Sequence, residues 1–165
     1  MTKRQATISL SAMLLIGLTS PYVRAQDNPD TVTLKGIAAV WVMVQDLPDG
    51  AKLLGLSKGA MQTDVELKLR LAGIRVVTQE EGLKLPGSPF VFVYLNLTNN
   101  ADVAEIRVEL SQNARLERNG QLAPAVGTWW RGVITAHPTS QDINNRIEDL
   151  TDQFLTAWLS VNPKK

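Results

Sequence analysis

Three runs of alternating residues, "PFVFVYLNLT", "AEIRVELSQNARLERNG" and "GTWWRGVITA", follow one another between Pro89 and Ala136 with only short polar breaks. They leave this chain little choice of architecture. Successive side chains on a strand point to opposite faces, so segments of this kind form half-buried strands. Asn119-Gly120 supplies a strong hairpin signal between the second and third runs. A three-strand antiparallel meander follows. In its first strand Val91, Val93, Leu95 and Leu97 make an aliphatic face, and Phe90, Phe92, Tyr94 and Asn96 an aromatic and polar one. In the second, Ile106, Val108, Leu110, Ala114 and Leu116 turn inward together. The third strand carries a conflict. A two-residue loop at Asn119-Gly120 places Trp129 opposite Leu110, whereas the apolar alternation favours Trp130, Ile134 and Ala136 inward. Both hold only with a bulge or a longer loop, so the residues leave open which tryptophan is buried.

The stretch "DVELKLRLAG", Asp64 to Gly73, alternates like a strand but is built from strong helix formers. Its flanks favour a helix. Ser57 can accept a hydrogen bond from the first turn's free N–H groups, and Gly73 followed by Ile74 fits a left-handed stop. Wound as a helix, Val65, Leu69 and Ala72 form one stripe, while Leu67 and Leu71 form another on nearly the opposite side. Two apolar sides imply substantial burial.

Upstream, Ile37 to Gln45, "IAAVWVMVQ", is apolar on both alternating sets and reads as a strand covered on both faces. Arg75 to Val77 is a short strand, and "TQEEG" after it has capping-box spacing from Thr78 to Glu81. The chain closes with an amphipathic helix from Ser140 to Val161, on which Ile143, Ile147, Leu150, Phe154, Trp158 and Val161 share a face. Asn162-Pro163 ends it. The order is strand, helix, short strand, three-strand meander, helix. This is an α+β domain with a single mixed or antiparallel sheet of about five strands packed with two main helices.

The amino terminus carries an expectation of export. Lys3 and Arg4 precede the apolar run Ile8 to Leu18, and "PYVRAQD" offers Val23 and Ala25 as small residues before a cleavage point. The run is shorter than the roughly 20 apolar residues a membrane span needs. Residues 1–25 therefore read as a signal peptide, 26–34 as a flexible lead-in and 35–165 as one domain, with no transmembrane segment after cleavage. The formal charge of +1 includes Lys3, Arg4 and Arg24; without them 14 basic residues face 16 acidic ones. A nucleic-acid groove would need a clustered surplus of Lys and Arg, which this composition lacks. There is no cysteine, hence no disulfide, thiolate metal site, cysteine nucleophile or lipid-anchor cysteine. A domain of this length can bury about two-thirds of its unfolded surface and be held by its core. The expected location is the periplasm or the exterior.

Candidates for chemistry are few. "GLSKG", Gly55 to Gly59, matches the G-x-S-x-G pattern of a nucleophile elbow, with His137 later in the chain. The elbow requires a strand running directly into the serine, and "PDGAKLL" precedes it instead. Ser57 reads better as a helix cap, and a small serine hydrolase using Ser57 and His137 stands as the alternative. His137 is the single histidine, so no multi-histidine metal site is expected. No cofactor motif is present. Asp142, Glu148, Asp149 and Asp152 read as the solvated side of the last helix.

The aromatic face is the more informative feature. Phe90, Phe92 and Tyr94 project together, and one of Trp129 and Trp130 must project to a similar surface. With one helix on each face of the sheet, the commoner arrangement, these aromatics are core. With both helices on the aliphatic face, the aromatic face stays open, flanked by Arg107 and Arg131. Exposed aromatics with arginines are what interfaces use. On that reading the candidate interaction residues are Phe90, Phe92, Tyr94, Trp129 and Arg131, serving an envelope protein partner or a second copy in a homo-oligomer. A small apolar ligand between sheet and helices is a further possibility.

"TDVELKLRLAGIRVV", "RLERNGQ", "GTWW" and "LTDQFLTAWLSVNP" together resemble an uncharacterised family of exported bacterial proteins. The element order is similar to the amino-terminal domain of TolB and related envelope-assembly modules. That resemblance implies a periplasmic interaction module.

Overall fold

The computed structural model describes residues 29–163. The expected signal peptide and its cleavage point lie outside the described residues. The elements are α1 (Pro29–Val32), β1 (Ala39–Val44), α2 (Asp49–Leu53), α3 (Lys58–Ala72), β2 (Arg75–Val76), α4 (Gln79–Gly82), β3 (Phe90–Leu97), β4 (Val103–Arg115), β5 (Leu122–Ala136) and α5 (Ser140–Val161). The strands form one mixed sheet in the order β2-β1-β3-β4-β5. β1 pairs in parallel with β2 and β3, and the β3-β4-β5 meander is antiparallel. The fold is α+β, as the element order implied.

The ambiguous "DVELKLRLAG" stretch is helical. Ser57 Oγ accepts from the Ala60 N–H at 3.4 Å, and Gly73, at φ 101°, ends α3 as its amide and that of Ile74 bond back to Arg70 and Leu69. Met61, Val65 and Leu69 are buried. The second stripe is not: Leu67 and Leu71 are 52% and 75% exposed. Two apolar sides thus overstated the burial of α3, because only one side meets the sheet.

α5 begins and ends where its sequence signals put it. Thr139 and Asp142 form a reciprocal capping box, and the Asp142 carboxyl titrates below its ordinary value because the Thr139 hydroxyl and amide bond to it. Glu81 is depressed in the same way at α4, where the Thr78 amide and then its hydroxyl hold the carboxylate.

α3 and α5 lie side by side on one face of the sheet. Their buried stripes join the aliphatic faces of β1, β3 and β4 in a single core. Lys68 of α3 bridges Glu148 and Asp152 of α5 at 2.9 and 2.7 Å. Partial burial alone would lower the Lys68 pKa, but the bonds from Asp152 and Glu148 outweigh it and raise it. Two residues expected to be merely solvated thus tie the helices together.

α4 sits on the opposite face, and topology explains why. The β1-to-β2 and β2-to-β3 connections run in opposite directions across the sheet, and right-handed crossovers of opposite direction fall on opposite faces. α3 takes one face and α4 the other, so β1 is covered on both, as its uniform hydrophobicity required.

Residues 29–34, part of the stretch expected to be a flexible lead-in, are packed from Thr31 onward. Leu34 is fully buried, and the Thr33 hydroxyl donates to the Thr128 carbonyl at 3.0 Å. Asn162, just past α5, accepts from the Gly36 amide at 2.8 Å and donates to the Leu34 carbonyl at 2.9 Å.

The β4–β5 hairpin resolves the tryptophan conflict. Its loop spans four residues, 117–120, with the Leu116 carbonyl accepting from the Gly120 amide at 2.7 Å. Taken alone, that loop would pair Leu110 two residues away from Trp129. Two register shifts, between Leu110 and Ser111 and between Gln112 and Ala114, restore the pairing of Leu110 with Trp129. Cross-strand partners share a face, so Trp129 joins Leu110 in the core at 3% exposure, and Trp130 points away from it. Of the two arrangements left open, the one with Trp130, Ile134 and Ala136 inward is not found: they lie on the other face, with Trp130 57% and Ile134 71% exposed.

Candidate functional site: the open sheet face

With α3 and α5 both on the aliphatic side, only α4 covers any of the opposite face. Its shelter is local. Gly82 lies against the Trp41 indole, which stacks on Phe90 with ring centres 4.6 Å apart, and Phe92 meets Phe90 edge-on at 6.5 Å. Trp41 and Phe90 are buried; Phe92 and Tyr94, further along β3, are half-buried.

From Tyr94 outward the face is charged, aromatic and open. Tyr94 pairs with Arg107, whose guanidinium lies 5.0 Å above the phenol ring. Arg107 Nε is 3.6 Å from a Glu109 carboxylate oxygen, and the Ser111 hydroxyl donates to the other at 2.6 Å. Two glycines of β5 keep this chain of contacts low. A Cβ at Gly127 would collide with the Glu109 carboxylate, and one at Gly132 would crowd the Ile106 carbonyl oxygen at 3.1 Å, with Arg107 in ordinary contact beside it. Trp130 and Ile134 then stand above the surface opposite Glu109 and Glu105.

Of the interaction residues expected from sequence, the fold brings Phe90, Phe92 and Tyr94 together on this face. Trp129 and Arg131 are not with them. Trp129 packs edge-on against Phe154 of α5, ring centres 5.3 Å apart, and Arg131 lies 5.3 Å over the Trp129 ring on the helix side. Trp130, Ile134 and Arg107 take their places. Trp129 faces inward because the two register shifts set it opposite Leu110.

Ser57 and His137 are not joined. Ser57 is an exposed cap on α3, reached from α2 through a turn at Gly55 (φ 67°) rather than from a strand. His137 follows β5 with a positive φ of 46°, its Nδ1 3.6 Å from Asp102 and its amide donating to the Asp102 carbonyl. A nucleophile and its base must sit within hydrogen-bond reach, and no hydrogen bond or ion pair links these two. Ser57→Ala is expected to cost about 1 kcal/mol of stability, as for a lost helix cap. Thermal unfolding of the variant checks this, and loss of a hydrolytic activity in a still-folded Ser57→Ala protein would instead identify a nucleophile.

Among the described residues no cluster of three or more His, Cys, Asp or Glu side chains is arranged to hold a metal ion. No helix among them is long and apolar enough to cross a membrane. What the open face offers is a surface with exposed apolar side chains and a guanidinium–carboxylate seam.

No family model and no curated protein matches the chain. Among solved structures it is similar to a PelC variant from Paraburkholderia phytofirmans that forms a dodecamer. The two are 14% identical with a TM-score of 0.39, over 75% of this chain and 89% of that one.

Proposed function

We propose that this protein is a non-enzymatic, exported interaction module that binds a protein partner through the open sheet face. The observation that carries the reading is the siting of both long helices on one side of the sheet, leaving Trp130 and Ile134 exposed beside Phe92, Tyr94 and Arg107 on the other. An exposed tryptophan and isoleucine near half-buried aromatics and an arginine have the composition of a binding hot spot. Arg107 already lies over Tyr94, so little side-chain ordering remains for a partner to impose. The face is mixed in charge, which suits a protein surface better than a nucleic acid. The amino-terminal sequence supports placing the activity in the periplasm or outside the cell.

The test is photo-crosslinking in the native envelope from probes at Tyr94 and Trp130, with Leu71 on the outer side of α3 as a control. A discrete adduct from both sheet positions and none from Leu71 is expected. Exported, folded protein that yields no adduct at either sheet position would overturn the reading.

A further inference from the structure

β5 is the last strand of the sheet, and its hydrogen-bonding parity can be read from its end. The His137 amide donates to the Asp102 carbonyl, so the 137–102 pair is a bonded one. Bonded and non-bonded pairs alternate in an antiparallel ladder. Thr135, Val133 and Arg131 therefore turn their backbone groups toward β4, and Ala136, Ile134, Gly132 and Trp130 turn theirs away from the sheet. Two further contacts agree. The Thr98 amide donates to the Val103 carbonyl, which sets Val103 toward β3 and its partner Ala136 outward. The Trp130 carbonyl is reached from outside the ladder by Arg131 Nη1 at 2.8 Å.

Exposed edges are normally blunted by charge, proline or a bulge. The near half of β5 has such devices: Pro124, the positive φ of 51° at Ala125, the register shift beside Gly127, and Thr33 on the Thr128 carbonyl. Among the described residues the far half, residues 130–136, has none beyond Arg131. It contains no acid, lysine or proline.

This half is also complementary to itself. A two-fold axis through Gly132, perpendicular to the sheet, would set two β5 strands antiparallel. Trp130 would then lie opposite Ile134 of the second copy, and Ile134 opposite Trp130 of the second copy. These are strongly exposed apolar side chains of the open face, and aromatic against β-branched is a favoured cross-strand pair. Gly132, without a side chain, separates the two pairs. Arg131, the single charge in the segment, meets Val133 of the second copy and no like charge.

We propose that residues 130–136 of β5 are a self-association edge through which two copies join into one continuous ten-strand sheet, with both open faces on the same side. The outward amides of Gly132 and Ile134 supply its central hydrogen bonds. The edge shares Trp130 and Ile134 with the open face but does not depend on that face binding a partner, since its joining bonds come from the β5 backbone and Phe92 and Tyr94 take no part.

Sedimentation velocity over a concentration series, combined with amide hydrogen exchange, tests it in the wild-type protein, in Ile134→Lys and in Tyr94→Ala. The expected result is a concentration-dependent dimer in the wild type and in Tyr94→Ala, and at least a tenfold weaker one in Ile134→Lys. In the wild-type dimer the Gly132 and Ile134 amides should exchange at least tenfold more slowly than on dilution to monomer, a readout that needs no variant to fold. A monomer at every concentration would overturn the proposal. So would a dimer in which those two amides exchange as fast as in the monomer.

Discussion

Phe154→Ala is expected to destabilise the fold by about 3–5 kcal/mol, a large share of the roughly 5–15 kcal/mol that holds a domain of this kind. Phe154 is fully buried on α5 and meets Trp129 edge-on across the helix–sheet interface. Removing the ring opens a cavity whose walls cannot close. Trp129 is fixed by its pairing opposite Leu110, and α5 is held at both ends by its capping box and by Asn162. Urea unfolding should show a much lower midpoint with an unchanged slope, the mark of lost packing rather than an altered unfolded state. A loss under 1 kcal/mol would mean that α5 is not seated on Trp129.

Gly82→Ala is the second, at about 1–3 kcal/mol, and its consequence is local to the open face. The added methyl would have to occupy space taken by the Trp41 indole. Trp41 cannot retreat, because its other side stacks on Phe90. α4 must lift instead, uncovering Trp41 and Phe90 and lengthening the exposed aromatic strip. A lowered thermal midpoint together with greater acrylamide quenching of tryptophan fluorescence is expected. Unchanged stability would show that α4 does not rest on Trp41.

Much of this architecture was legible because its signals are local. Ser57 and Gly73 bracket α3, the apolar spacing from Ile143 and the Asn162-Pro163 stop mark α5, and the uniform hydrophobicity of β1 required cover on two sides. What was not legible depended on long-range packing. Nothing near Leu67 and Leu71 reveals that the sheet and α5 meet only the other side of α3. The short α1 and α2 have too few residues for a period to show. Whether the Phe90–Phe92–Tyr94 face is core or surface is decided by which face α3, α4 and α5 pack on, which no residue on β3 encodes. The tryptophan conflict, left open by the residues, is different in kind. The alternation around Trp130 and Ile134 is real but marks an exposed apolar face rather than an inward one.

The two irregularities in the β4–β5 ladder bear on how the chain can change in length. The hairpin tip pairs Arg115 with Leu122, whereas beyond both irregularities Leu110 pairs with Trp129, and Thr128 is the unmatched residue nearest the core. Thr128 is held independently of the tip, by Gln112 at 2.9 Å and by Thr33. An insertion or deletion among residues 117–120 would be absorbed before it reached that clamp. The tip is thereby insulated from the rest of the strand, free to drift in length between descendants of a common ancestor while Trp129 and Trp130 keep their opposite facings.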